Sequence, residues 1–178
     1  MANKTDCCGK TLKDVCLVFD NSVGPIENLE NLPIINGNPL NDANTLLVNE
    51  LPPIVISKPG QKVKIDASIS LLVTQGNVFS QNVSNRGVNA LDFNYGFFLV
   101  RDDLGLDGRL DEVLQSYSNA ASILLGGNNF NPNFTFTDCP PNGKFVYSIR
   151  VGFLFNGNLA SQFTASIPNT NMTGLRIG

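Results

Sequence analysis

The sequence predicts an all-β protein, a jelly-roll β-sandwich of about eight strands with an extended N-terminal arm. Three observations predict it. Three runs alternate apolar and polar residues with a period of two: Val63 to Leu71, Phe93 to Leu99, and Phe145 to Phe153. That period puts every second side chain on one face of a strand, and the apolar face is then the buried one. The segments between the runs are rich in Gly, Pro and Asn, the residues that turn a chain. The prolines at 25, 33, 39, 52 and 53 also break any long helix in the first third.

Taken in order, Met1 to Cys16 (MANKTDCCGKTLKDVC) has no apolar run. It reads as a connector arm, neither a signal peptide nor a membrane span. One domain is expected from residue 17 to 178, because no repeat or low-complexity linker divides it. Leu17-Val18-Phe19 begins the first strand. Leu32 to Ile35 and Thr45 to Val48 are short edge pieces. Ile54-Val55-Ile56 is followed by the Lys58-Pro59-Gly60 turn and then by the alternation from Val63 to Leu71. Gly76 to Asn89 is polar and reads as a loop. The Phe93 run is expected to end at Arg101. Arg101 to Gly127 fits helical and strand spacing alike, and its β neighbours favour two short strands. Phe134-Thr135-Phe136 is a short strand, Asp138 to Gly143 a turn, and Asn156-Gly157-Asn158 a hairpin-type turn. Phe163, Ala165 and Ile167 form one further strand, and Leu175 and Ile177 a last short one.

Composition excludes several functions. Charged residues are 15% of the chain and the net charge is −3. A nucleic-acid partner needs clustered Lys and Arg to neutralise phosphates, and no such cluster exists. There is no His, so Ser–His and Cys–His nucleophile schemes are ruled out. No phosphate loop, G-x-S-x-G elbow or GxGxxG is present. The expectation is a protein that is not an enzyme and uses no cofactor. Asn is the most frequent residue, and Gly and Pro are plentiful, a balance suited to surface loops carried on strands.

The four cysteines, Cys7, Cys8, Cys16 and Cys139, are the candidate functional residues. Their spacing is poor for zinc, which favours paired C-x-x-C patterns, so no metal site is expected. Disulfides under oxidising conditions suit them better. Adjacent cysteines rarely bridge each other, and in an extended segment Cys7 and Cys8 point in opposite directions. Each then reaches a different partner, within the chain or in another chain. Cys16 and Cys139 are the natural acceptors. A Cys16–Cys139 bridge that staples one domain is the alternative, worth about 4–5 kcal/mol on a chain-entropy account. The acidic stretch Asp102 to Glu112 offers oxygen ligands for calcium but lacks EF-hand spacing, so a solvated Asp-Gly turn is the plainer reading. The N-x-S/T triplets at Asn3, Asn82, Asn133 and Asn171 arise readily in an Asn-rich chain.

An arm bearing Cys7-Cys8, a third cysteine at the start of the β body and a fourth late in the chain together resemble the subunits of bacterial endospore appendages. The resemblance implies a jelly roll whose N-terminal connector docks into neighbouring subunits. It implies Cys7 and Cys8 as donors of inter-subunit disulfides, with Cys16 and Cys139 as acceptors on neighbours. It also implies self-association into a homopolymer on the spore surface, released by lysis of the mother cell, with an anchor or tip protein as a further partner. A second resemblance covers Phe134 to Phe153, where the text FTFTDCPPNGKFVYSIRV is similar to the turn and strand of C1q/TNF-like jelly rolls of spore-surface proteins. That second resemblance implies a trimeric binding or adhesive head instead. A viral jelly-roll coat protein is a third reading, disfavoured by the lack of a basic arm.

Overall fold

The structure is a computed structural model, and it describes residues 17–23, 45–75, 91–105, 110–123, 128–153 and 163–178. Within them the chain forms ten strands: β1 Leu17–Val23, β2 Leu46–Glu50, β3 Ile54–Ile56, β4 Lys62–Gln75, β5 Leu91–Asp103, β6 Leu110–Ile123, β7 Asn128–Phe130, β8 Asn133–Asp138, β9 Gly143–Phe153 and β10 Phe163–Ile177. All pairings are antiparallel. They form two five-stranded sheets. The first runs β1-β10-β4, with β7 and β8 both pairing the far side of β4. The second runs β9-β5-β6, with β2 and β3 both pairing the near side of β9. The sheets pack face to face as a β-sandwich. If β2 with β3, and β7 with β8, are each read as one interrupted strand, every sheet has four positions in a jelly-roll-like order.

The interruptions have a local cause. Leu51-Pro52-Pro53 separates β2 from β3, and Asn131-Pro132 separates β7 from β8. Proline has no N–H to give a ladder, so it stops pairing on an edge while the chain continues alongside the same partner.

The alternating runs land as expected wherever their side chains are described. Val63, Ile65, Ala67, Ile69 and Leu71 of β4 point inward. They meet Phe97 and Leu99 of β5, and Phe145, Tyr147, Ile149 and Val151 of β9, in one core. Phe134, Ile167 and Met172 complete it from the first sheet. Burying a side chain of this size contributes about 1.5–3 kcal/mol, so this single apolar layer holds the sheets together. β9 departs from the expected one wet face. Its alternate residues Val146, Ser148 and Arg150 are buried as well, as are Phe98 and Val100 of β5. These two strands are central in their sheet and are covered on both sides.

Two expectations need correction. The ambiguous stretch after Arg101 holds one strand of 14 residues, β6, in place of two short ones. Its middle (Gln115 to Ala121) is made of small and polar residues, and pairing with β5 decides its conformation where periodicity does not. The two C-terminal pieces are also one strand, β10. Pro168 lies where the register with β4 slips between Ser166 and Asn169, and beyond that bulge Thr170, Met172 and Gly174 face inward. Two of these inward positions, Thr170 and Gly174, are polar or small, which hid the alternation. Glycine fits closely there: a Cβ at 174 would stand 2.7 Å from Leu51 Cδ1 and would force that side chain to shift. The arm, the Leu32 to Ile35 piece, the Gly76 to Asn89 loop and the Asn156 turn lie outside the described residues.

Candidate functional site at the Cys139 turn

Cys139 is the candidate cysteine that the structure describes; Cys7, Cys8 and Cys16 lie outside the described residues. It follows directly on β8 and precedes buried Pro140 and exposed Pro141. Its thiol is free and exposed. The turn carries the chain from the first sheet to the second, where Gly143 opens β9.

The residue before it anchors the turn. Asp138 is buried at the end of β8. Its carboxylate accepts hydrogen bonds from Arg101 Nη1 at 3.0 and 2.8 Å and from Tyr147 Oη at 2.8 Å. Arg101 also donates through Nη2 to Glu112 at 2.6 Å, and its guanidinium lies 5.4 Å from the centre of the Phe145 ring. β5, β6, β8 and β9 therefore meet through one charged cluster that spans both sheets. A Cβ on Gly143 would come within 2.9 Å of the Phe145 ring, so the ring lies close against the backbone at the start of β9.

Electrostatics reinforce the clamp. Burial pulls the Arg101 guanidinium toward losing its proton, but the hydrogen bond and charge of Asp138 outweigh this and raise its pKa. Tyr147 is held well above the ordinary tyrosine value, first by burial and then by the Asp138 charge. Its phenol thus stays protonated and keeps donating. Charge-assisted bonds of this kind are worth about 1.5–3 kcal/mol each. The cluster's polar groups are largely satisfied by one another. It works as an inter-sheet clamp that holds the Cys139 turn in place, not as an acid–base pair.

The sequence reading missed Arg101, Glu112 and Tyr147 as members of this site. A signal existed: Arg101 ends an otherwise apolar run in a chain with few charges. Such an arginine needs an acidic partner, but which one is decided by the fold.

The other sequence candidates scatter. Asp102 and Asp103 end β5, while Glu112 is engaged by Arg101. Among the described residues, no group of three or more His, Cys, Asp or Glu is placed to hold a metal ion. Asn133 and Asn171 are exposed on β8 and β10. They line a shallow groove of about 310 Å³ on the outer face of the first sheet, with Asp66, Ser68, Thr135 and Thr173. The register sets these side by side across β10, β4 and β8. Asp66 there accepts from Thr135 Oγ1 at 3.0 Å and pairs with Lys64 at 2.8 Å. The groove is a polar, hydroxyl- and amide-bearing surface without a nucleophile–base pair. No helix among the described residues is long and apolar enough to cross a membrane.

Comparison with protein-family models finds none that matches this chain, and comparison with curated proteins finds none similar to it.

Proposed function

We propose that this chain is a self-assembling structural subunit of an extracellular fibre or spore appendage, joined to its neighbours by disulfides from the N-terminal arm. The observation that carries the reading is the state of Cys139. It is a free thiol at the surface, on a turn fixed by a buried Arg–Asp–Tyr clamp. An exposed thiol on a rigid turn is a poor feature for a solitary protein in an oxidising setting, and a good acceptor for a thiol of another copy. Cys7 and Cys8 are the donors in this reading, and Cys16 is a second acceptor. Each bond joins two thiols with loss of two protons and two electrons to an oxidant, such as dioxygen or a small-molecule disulfide. The partner is the chain itself, with an anchor or tip protein as an addition, at a bacterial spore surface.

The test is electron microscopy and non-reducing gel electrophoresis of the purified chain with and without reductant. Long fibres and a covalent ladder are expected under oxidising conditions. Cys7→Ser, Cys8→Ser and Cys139→Ser should each shorten the ladder. Uniform small particles in both conditions would replace this reading with a discrete head.

A further inference from the structure

We infer that the groove on the outer face of the first sheet is a binding site for a short neutral oligosaccharide. Side chains from three strands, β10, β4 and β8, build it. The register sets them in two rows: Asn171, Ser68 and Asn133 in one, Thr173, Asp66 and Thr135 in the next. Neighbouring strands lie about 4.8 Å apart and alternate residues about 7 Å apart along a strand, so the rows cover about 10 by 7 Å. That is the footprint of a short run of sugar rings. The outward position of these side chains follows from the pleat. Their neighbours Ala67, Phe134 and Met172 point into the core, so the alternate residues face away from it. Ser68, Asn133, Thr135 and Asn171 are exposed.

Part of the array is held in place before anything binds. The Asp66 carboxylate accepts from Thr135 Oγ1 through Oδ1 and pairs with Lys64 Nζ through Oδ2. Asn133 Nδ2 donates to the Asn131 carbonyl at 3.2 Å, which fixes the plane of its amide. Side chains already fixed lose less conformational entropy on binding. These bonds do not exhaust them. An amide has two N–H groups and a carbonyl, and a hydroxyl that has donated its proton still accepts.

The class of ligand follows from the chemistry of the rows. Amides and hydroxyls that donate and accept match a ligand whose surface is dense in hydroxyls that do the same. A phosphate or a nucleic acid needs clustered Lys and Arg, and Lys64 beside the groove is paired with Asp66. Asp20 on β1 stands opposite Thr173 and brings a second carboxylate to this face. The surroundings are therefore acidic and repel uronates and other anionic sugars. A divalent cation would have to displace Lys64 and Thr135 from Asp66. A peptide docks through strand edges or apolar pockets, whereas this is the polar face of a strand paired on both sides. The six side chains contain no nucleophile–base pair, so the sugar is bound and not cleaved. The groove shares no residue with the Cys139 turn, and it does not depend on any disulfide. In a polymer of this chain it repeats with each subunit, and repetition turns a weak site into firm adhesion.

The test is saturation-transfer NMR of cellotriose and of chitotriose with the full chain in reductant. The signal is read on the sugar, so single chains and assemblies are both accessible. Transfer to at least one of these neutral sugars is expected, with weaker transfer to trigalacturonate. Asn133→Ala with Asn171→Ala should raise the dissociation constant by about tenfold or more, since two hydrogen-bonding amides are lost. Ser68→Phe puts a ring between those amides and should abolish transfer. Thr137→Ala, on the same face of β8 but beyond the two rows, should leave binding unchanged, and so should Cys139→Ser. No transfer to either neutral sugar, equal transfer to trigalacturonate, or binding indifferent to both groove variants would each overturn the inference. A covalent ladder without sugar binding would keep the assembly reading and remove this one, and sugar binding without a ladder would do the reverse.

Discussion

Asp138→Asn is the sharpest perturbation of this fold. The substitution keeps the volume of the side chain and one carbonyl oxygen but removes the negative charge. Arg101 is then left with Glu112, whose side chain is 55% exposed and therefore screened by water. The Arg101 and Asp138 side chains are only 15% and 8% exposed, so the cation has little access to solvent in compensation. Breaking a buried pair costs about 3–5 kcal/mol. The partial exposure of Arg101 and the surviving Glu112 contact lower this to about 2–4 kcal/mol. For a chain of this size the melting temperature should fall by roughly 4–16 °C. Urea unfolding monitored by tyrosine fluorescence and by circular dichroism reads the free energy, and the midpoint should move without a change in slope. The triple replacement Arg101→Met, Asp138→Leu and Tyr147→Phe should recover most of the loss, since it leaves neither an orphan charge nor an orphan phenol. A loss below about 1 kcal/mol for Asp138→Asn, or a triple variant no better than the single one, would refute the account of the cluster as an inter-sheet clamp.

Other outcomes follow from the same geometry. Cys139→Ser should change folding stability by less than about 0.5 kcal/mol in reductant, because the thiol is exposed and free; chemical denaturation checks this. Gly174→Ala should destabilise by about 1–3 kcal/mol through overpacking against Leu51, and thermal melting would show it. Phe134→Ala should cost about 3–5 kcal/mol, since the ring is fully buried in the core. Asp66 titrates below its ordinary value, first because Lys64 hydrogen-bonds its charged form, with Thr135 assisting against the opposing effect of burial. A lowered folded-state pKa contributes stability that is present above the unfolded value and is lost as pH falls through the folded one. The contribution of Asp66 is therefore complete at neutral pH and disappears below the ordinary carboxylate range. Lys64→Met should raise the Asp66 midpoint in an NMR titration, and an unmoved midpoint would show that Lys64 is not its cause.

Much of this architecture was legible in the residues. The alternations in β4, β5 and β9 announce strands because period two is the geometry of a pleat. They also name most of the core. The Pro-Pro pair and the Lys58-Pro59-Gly60 turn mark where pairing must stop. β6 and the middle of β10 were harder to read. Residues there such as Gln115, Ser116, Thr170 and Gly174 are small or polar, and such residues are compatible with several backbone states until a neighbouring strand supplies hydrogen bonds. The site divided in the same way. Cys139 could be singled out by its chemistry. The clamp behind it could not, because Arg101, Glu112, Asp138 and Tyr147 come from four strands.

By itself, then, the sequence determined the fold class, the principal strands, the apolar layer and the absence of histidine chemistry. These properties are local: each follows from a residue type or from a short run read at one period. Only the tertiary structure decided which acid receives Arg101 and which phenol stays protonated over Asp138. Those depend on pairing between segments far apart in the chain. Asn49 and Thr170, 121 residues apart, share a buried hydrogen bond of 3.0 Å. The register that brings such groups together is set by the sum of all strand pairings and not by any one segment.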